Sequence, residues 1–151
     1  MALQLLLMRH GEAAFSSPDE LRELTERGRE QTRQVVRQRL SALVGIDRVY
    51  VSPYLRARQT LELMESLAGL PGAELYSGLT PDSDVDALVE WLQPQQGKLL
   101  LVAHNPLLSR LLSRLTNNSG QYGFDTSTLA QLSMPLAASG CADLDWIEYP
   151  R

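Results

Sequence analysis

Two short apolar runs, each closed by a histidine, set the pattern of the chain. Leu3 to Met8 is apolar apart from Gln4 and runs into Arg9-His10-Gly11-Glu12. Lys98 to Ala103 (KLLLVA) runs into His104-Asn105-Pro106. A short apolar run bounded by turn residues fits a strand buried on both faces, as in a parallel sheet. Ala13 to Arg22 holds Ser-Ser-Pro-Asp and reads as loop. Thr25 is placed to cap a helix from Glu26 to about Leu43, on which Val36, Leu40, Leu43 and Val44 share a face and Gly45 is the stop. Arg48 to Val51 (RVYV) is the next strand. Ser52-Pro53 then opens a helix to about Leu67, with serine as cap and proline at the first position, where its missing N–H costs nothing. Gly69, Pro71 and Gly72 end it.

Ala73 to Tyr76 reads as a short strand and Asp84 to Leu92 as a helix with Val85, Leu88, Val89 and Leu92 on one face. Pro106 to Leu115 is a leucine-rich helix, Thr116 to Thr126 a polar loop, and Leu129 to Pro135 and Asp143 to Tyr149 a terminal pair of strands around Ser139-Gly140. Strands alternating with helices define an α/β fold, a three-layer sandwich with a mostly parallel central sheet. Ligands of such sheets bind beyond the carboxyl ends of the strands, where both histidines and the Ser52-Pro53 turn fall.

At 151 residues the chain suits one domain spanning residues 1–151. With 44% hydrophobic and 21% charged residues it reads as globular. A net charge of −4 argues against a nucleic-acid binder that relies on a broad basic surface. The first apolar run is too short for a secretory core, and no stretch approaches the roughly 20 apolar residues of a membrane span. Cys141 is the single cysteine, which excludes an internal disulfide or a thiolate metal cluster. A cytoplasmic protein without membrane attachment is the expectation.

His10 and His104 are the two histidines of the chain. Each fits a structural role taken alone, His104 as a residue that caps the backbone. Three features draw His10 toward chemistry: Arg9 adjoins it, Gly11 opens space beside it, and it ends a strand. Neutral imidazole is a competent nucleophile toward phosphorus, and a neighbouring cation favours that neutral form. Arg9 ends a buried strand, where an unpaired cation is costly and a guanidinium fork suits carboxylate or phosphate. Arg56 and Arg58 lie about 200° apart on their helix, so one of them faces the crevice easily. Arg56, nearer the helix start, is the candidate, and Arg58 reads as a solvated or salt-bridged residue. His104 can donate to a phosphoryl oxygen as charge develops, and Asn105 with the start of the Pro106 helix adds amide donors on that side. Zinc would need a third ligand, which stands at no recognised spacing, and would be repelled by two arginines. The glycine loops of nucleotide sites, GxxxxGK[ST] and GxGxxG, are absent.

These residues resemble a known family. Met8-Arg9-His10-Gly11-Glu12 resembles the Arg-His-Gly signature of the histidine phosphatase superfamily, the phosphoglycerate mutase-like proteins. Ser52-Pro53-Tyr54-Leu55-Arg56-Ala57-Arg58-Gln59-Thr60 is similar to its second motif, S-P-x-x-R-A-x-Q-T, and His104 to its second histidine. Leu24-Thr25-x-x-Gly28 resembles the start of the family's first helix. The likeness runs from about Leu3 to Leu115 and, more loosely, to the end. Length, Leu79-Thr80-Pro81 before an Asp-rich turn, and Thr126-Ser127 before the last strands resemble its small phosphohistidine phosphatase branch. The resemblance implies a phosphoglycerate mutase-like fold without a cap domain. It also implies a transiently phosphorylated His10, phosphoryl oxygens held by Arg9, Arg56 and His104, and no metal or other cofactor.

One departure concerns the carboxylic acid that, in many members, protonates an alkoxide leaving group. Glu74, Asp82, Asp84 and Asp86 are candidates by region, each more readily a solvated turn or helix residue, and Glu12, beside the nucleophile, is another that equally reads as an arginine partner. A site without that acid discriminates toward N–P bonds, because an imidazole leaves far more readily than an alkoxide. Little chain is left over for a lid, which suits a side chain presented on another protein. The Ser119 to Thr126 loop, with Tyr122 and Phe124, either touches that partner or packs beneath it. The expected activity is therefore a metal-independent phosphatase for phosphohistidine on a signalling protein such as a phosphotransfer domain, releasing phosphate. The alternatives are a phosphatase or mutase for a small phosphate ester, and a non-catalytic phosphate-binding module.

Overall fold

A computed structural model describes residues 2–117 and 123–151. Among the described residues six strands form one sheet: β1 (Leu3–Arg9), β2 (Arg48–Val51), β3 (Ala73–Leu75), β4 (Gly97–Ala103), β5 (Leu129–Met134) and β6 (Asp143–Glu148). Their order is β3-β2-β4-β1-β5-β6. The β3-β2, β2-β4 and β4-β1 pairs are parallel, and β5 and β6 continue the sheet antiparallel. The two apolar runs of the sequence are its neighbouring central strands, with Arg9 opposite Ala103.

Four α-helices among the described residues cover both faces: α1 (Glu26–Gln38), α2 (Leu55–Leu67), α3 (Val85–Leu92) and α4 (Leu107–Thr116). Alternation along each strand divides the core. Leu5 and Leu7 of β1, with Leu99 and Leu101 of β4, pack under α3 and α4. Leu6, Met8, Leu100 and Val102 point the other way, onto Val35 and Val36 of α1 and Ala57, Leu61 and Met64 of α2. The result is the three-layer α/β sandwich with a mostly parallel sheet.

Three boundaries differ from the sequence reading. Helix α1 stops at Gln38, five residues short of Leu43, and the chain tightens into a 3-10 turn over Leu40–Leu43. That turn buries Leu43 but leaves Leu40 and Val44 exposed, so the four apolar residues do not share a face. Helix α2 begins at Leu55 with Tyr54 at its cap position, not at Pro53. Ser52 instead accepts the Tyr54 N–H at 3.3 Å within the turn. The segment from Ala13 is not featureless: Ala13 bridges Leu24, and a 3-10 turn covers Asp19–Leu21. Among the described residues no helix is long and apolar enough to cross a membrane.

Candidate active site

Parallel strands in register bring their carboxyl ends together, and three neighbouring strands each hand one polar residue to the same place. Ser52 follows β2, His104 follows β4 and His10 follows β1. The ladder runs one residue past each end: His10 N–H donates to the Ala103 carbonyl and Ser52 N–H to the Val102 carbonyl, both at 3.0 Å. The two imidazoles therefore meet, with ring centroids 4.9 Å apart and planes tilted by 56°. His10 is 7% exposed, and His104, 1% exposed, lies almost wholly behind it.

The hydrogen bonds at His10 fix its tautomer. Nδ1 lies 2.7 Å from the Gly11 carbonyl oxygen. A carbonyl accepts only, so Nδ1 carries the proton and Nε2 keeps its lone pair. Nε2 faces a donor, the Nε–H of Arg56, at 3.4 Å. Burial, aided by the Arg56, Arg9 and Arg22 charges, pushes the His10 pKa down to about 3, against a smaller upward pull from the Gly11 carbonyl. Burial together with His10, Arg56 and Arg9 lowers His104 to about 2. Both rings are neutral at ordinary pH, and His10 turns an unprotonated Nε2 to Arg56.

Gly11 is held by the second motif. Thr60 Oγ1 accepts the Gly11 N–H at 2.9 Å and donates to the Arg56 carbonyl at 2.8 Å. On its other side Gly11 is pressed against α1. A Cβ there would sit 2.9 Å from the Gly28 carbonyl and 3.0 Å from Thr32 Oγ1, and a Cβ on Gly28 would strike the Glu12 backbone. Thr25 closes the joint: its Oγ1 accepts from Gly28 N at 2.9 Å and donates to Glu12 Oε1 at 2.8 Å. Gln59 Oε1 accepts the Leu24 N–H, tying α2 to the same segment. Ser127, left-handed at φ 63, donates its N–H to the His10 carbonyl and shares a 2.9 Å bond between its hydroxyl and that of Thr32.

Arg9, His10, Arg56 and Asn105 line one cleft of about 640 Å³, with Glu12, Arg22 and Thr126 on its walls. Arg9 Nη1 donates to the Phe124 carbonyl at 2.9 Å, while its Nε is buried without a partner. Asn105 Nδ2 donates to the same carbonyl at 3.0 Å, and its Oδ1 accepts from Ser109. Its amide thus braces the loop ahead of β5 while the residue lines the cleft. His104 Nε2 lies 2.7 Å from Ser52 Oγ, and its Nδ1 is buried without a partner. Tyr54 sets its ring edge-on to His104 at 5.1 Å. Arg58 is exposed and donates to the Pro53 carbonyl.

Of the acid candidates, Glu12 alone is brought to this cleft, with its carboxylate on Thr25 and 4.0 Å from Arg27. Glu74 stands exposed on edge strand β3. Asp84 caps α3, Asp86 pairs with Arg114, and Asp82 accepts from Thr80 in an exposed turn. Phe124 is buried in the core at 2% exposure, which favours packing over partner contact for that aromatic; Tyr122 lies outside the described residues. Among the described residues no group of three or more His, Cys, Asp or Glu could hold a metal ion. Sequence reasoning missed Asp19 and Arg22, whose loop closes over Arg56, and the hydroxyls of Ser52, Thr32 and Ser127. Asp19, Arg22 and Thr32 carry no spacing signal, and Ser52 and Ser127 stood in motif stretches without these hydroxyl roles.

The arrangement can hold a tetrahedral oxyanion in front of a nucleophilic nitrogen. Arg56 reaches Nε2 and Arg9 lines the same cleft, while His104 lies beneath His10 and outside the cleft lining; Arg9 Nε and His104 Nδ1 are buried without partners, and such groups gain most from a charged partner.

Comparison with known proteins gives the family. The model of the histidine phosphatase superfamily (branch 1) matches residues 5–77. The chain is 35% identical to phosphohistidine phosphatase SixA of Escherichia coli, over 98% of this chain and 94% of that one. It is 31% identical to a phosphohistidine phosphatase SixA homolog of Haemophilus influenzae, over 86% and 87%. A solved structure of the protein histidine phosphatase SixA complexed with tungstate matches with a TM-score of 0.87 at 34% identity, over 97% of both chains. The chain belongs to the histidine phosphatase superfamily. Within it, the sequence and the fold are those of a SixA homologue.

Proposed function

We propose that this chain is a phosphohistidine phosphatase that works through a covalent phosphoryl intermediate on His10. The observation that carries the reading is the state of His10: neutral, with its proton held on Nδ1 by Gly11 and its Nε2 lone pair at the Arg56 side of the cleft. Similarity to SixA relatives over nearly the whole chain, one of them solved with a tetrahedral oxyanion, supports the substrate class.

In the first step the His10 Nε2 lone pair attacks phosphorus in line. A bond from Nε2 to phosphorus forms as the bond from phosphorus to the substrate imidazole breaks, and that imidazole leaves with the electron pair and the proton of its other nitrogen. Arg9, Arg56 and His104 hold the equatorial oxygens. His104 donates through Nδ1 when the Ser52 hydroxyl donates to Nε2, an assignment that leaves the Ser52 oxygen free to accept from Tyr54 N–H. Phosphorylated His10 carries positive charge on its ring, which the Gly11 carbonyl stabilises through Nδ1–H. In the second step water attacks phosphorus, the bond to Nε2 breaks, phosphate leaves and the ring returns to its neutral form. The partner class is a phosphotransfer domain, and the reaction needs no metal. Asn105 acts mainly by bracing the Phe124 carbonyl that also receives Arg9.

The test is phosphate release in EDTA from a phosphohistidine-bearing phosphotransfer protein and from a panel of sugar and glycerate phosphates, with wild type and His10→Ala. Fast release from phosphohistidine alone, lost in the variant, is the expected result. Equally fast release from an unactivated ester would transfer the reading to a small-ester phosphatase, with Glu12 as its acid. Binding without release would identify a phosphate-binding module.

A further inference from the structure

The Asp19 carboxylate bridges two arginines of the cleft. Oδ2 lies 3.3 Å from Arg56 Nη2 and Oδ1 3.2 Å from Arg22 Nη1, while the Asp19 backbone carbonyl accepts from Arg56 Nη1 at 2.8 Å. Arg56, 5% exposed, thus has both terminal nitrogens turned to Asp19 and only Nε turned to His10. Arg9 differs: its Nε is buried without a partner and its Nη1 meets a neutral carbonyl. Of the two guanidiniums beside the nucleophile, Arg9 feels the charge of Asp125 without an ion pair to it, while Arg56 already holds a carboxylate. The Asp19 side chain is half exposed, so its carboxylate can yield to a stronger claimant.

We propose that Asp19 sets the affinity of the cleft for free phosphate, its carboxylate competing with phosphoryl oxygens for the Arg56 fork. An incoming phosphoryl group must displace that carboxylate or share the fork with it, and two anions on one guanidinium repel each other in a partly buried site. A phosphoryl group carried on a protein can offset this cost with contacts made by the rest of its carrier. Inorganic phosphate has no such contacts, so the carboxylate weakens product more than substrate. That consequence for turnover rests on the phosphatase reading above; the competition itself does not.

Asp19→Asn separates charge from position, because it keeps the backbone carbonyl on Arg56 and an amide oxygen in place of the carboxylate. Calorimetric titration of wild type and Asp19→Asn with inorganic phosphate, and with tungstate as a second oxyanion, tests the inference. Tighter binding by the variant, by roughly tenfold, is expected, equivalent to about 1.4 kcal/mol. The inhibition constant of phosphate against phosphohistidine turnover should fall in parallel. Unchanged or weaker binding would overturn the proposal and leave Asp19 as a prop for Arg56. Should a thermal melt show Asp19→Asn to be misfolded, Asp19→Ser is read for the same sign. The titrations need no turnover, so they remain decisive even if the chain hydrolyses nothing.

Discussion

At His10 a proton is kept on one nitrogen and off the other. The Gly11 carbonyl fixes the first at 2.7 Å, and burial with three arginine charges secures the second. The pKa of about 3 gives a direct expectation: nitrogen NMR of the free protein should show His10 neutral, as the Nδ1–H tautomer, from pH 8 down to about pH 4. An acid loss of activity between pH 5 and 7 would then belong to the substrate or the leaving group. Titration of His10 near 6.5 would refute the electrostatic description. Thr60 supports the same geometry from one residue away, since its hydroxyl accepts the Gly11 N–H. Thr60→Val keeps the shape and leaves that buried N–H unpaired, at a cost of about 1–3 kcal/mol. Activity should fall by roughly five- to 150-fold if that cost is carried into the transition state, and Thr60→Ser should restore it. A Thr60→Val enzyme with full activity would remove Thr60 from the account.

The decisive element is the seam where α1 meets the segment after β1. Gly28, which the sequence showed only as the end of the Leu24-Thr25-x-x-Gly28 stretch, is there for contact, because a Cβ would strike the Glu12 backbone. Gly28→Ala should therefore destabilise the fold by about 1–3 kcal/mol, as overpacking does, and lower activity as the Gly11-Glu12 segment shifts. Denaturant unfolding and a turnover assay read the two effects, and a neutral substitution would contradict the seam. The buried strands were legible because their apolar runs are continuous and end in distinctive residues. The end of α1 was not, because Leu40, Leu43 and Val44 keep a helical spacing that the 3-10 turn after Gln38 breaks. The start of α2 was misplaced for a related reason: Ser52 looks like a cap but lies 2.7 Å from His104 instead. Arg9, His10, Arg56 and His104 stood out through strand ends, helix position and motif. Asp19 did not, because it comes from a turn whose approach to α2 is a tertiary event.

For the molecule as a whole, two neutral histidines are buried at the junction of three strands. Each has a folded pKa well below the 6.5 of an exposed imidazole. Between pH 6.5 and about 3 the unfolded chain therefore binds protons that the folded chain refuses. Stability from this source is intact above pH 6.5 and declines as pH falls, by roughly 1 kcal/mol per pH unit for each histidine across that window. Denaturation midpoints at pH 7, 5.5 and 4.5 should fall steeply for the wild type and less so for a His10→Gln/His104→Gln double variant. Identical slopes would show that the histidines do not drive acid unfolding.

The site that costs this acid stability is also the site of the proposed chemistry, and one measurement tests that chemistry most directly. The protein would be mixed rapidly with a phosphohistidine-bearing phosphotransfer domain, quenched in alkali, which preserves phosphohistidine, and mapped by mass spectrometry with nitrogen–phosphorus NMR. Phosphate attached to Nε2 of His10 is the result this account requires. Phosphate on Nδ1, on His104, or on no residue while release proceeds would contradict it.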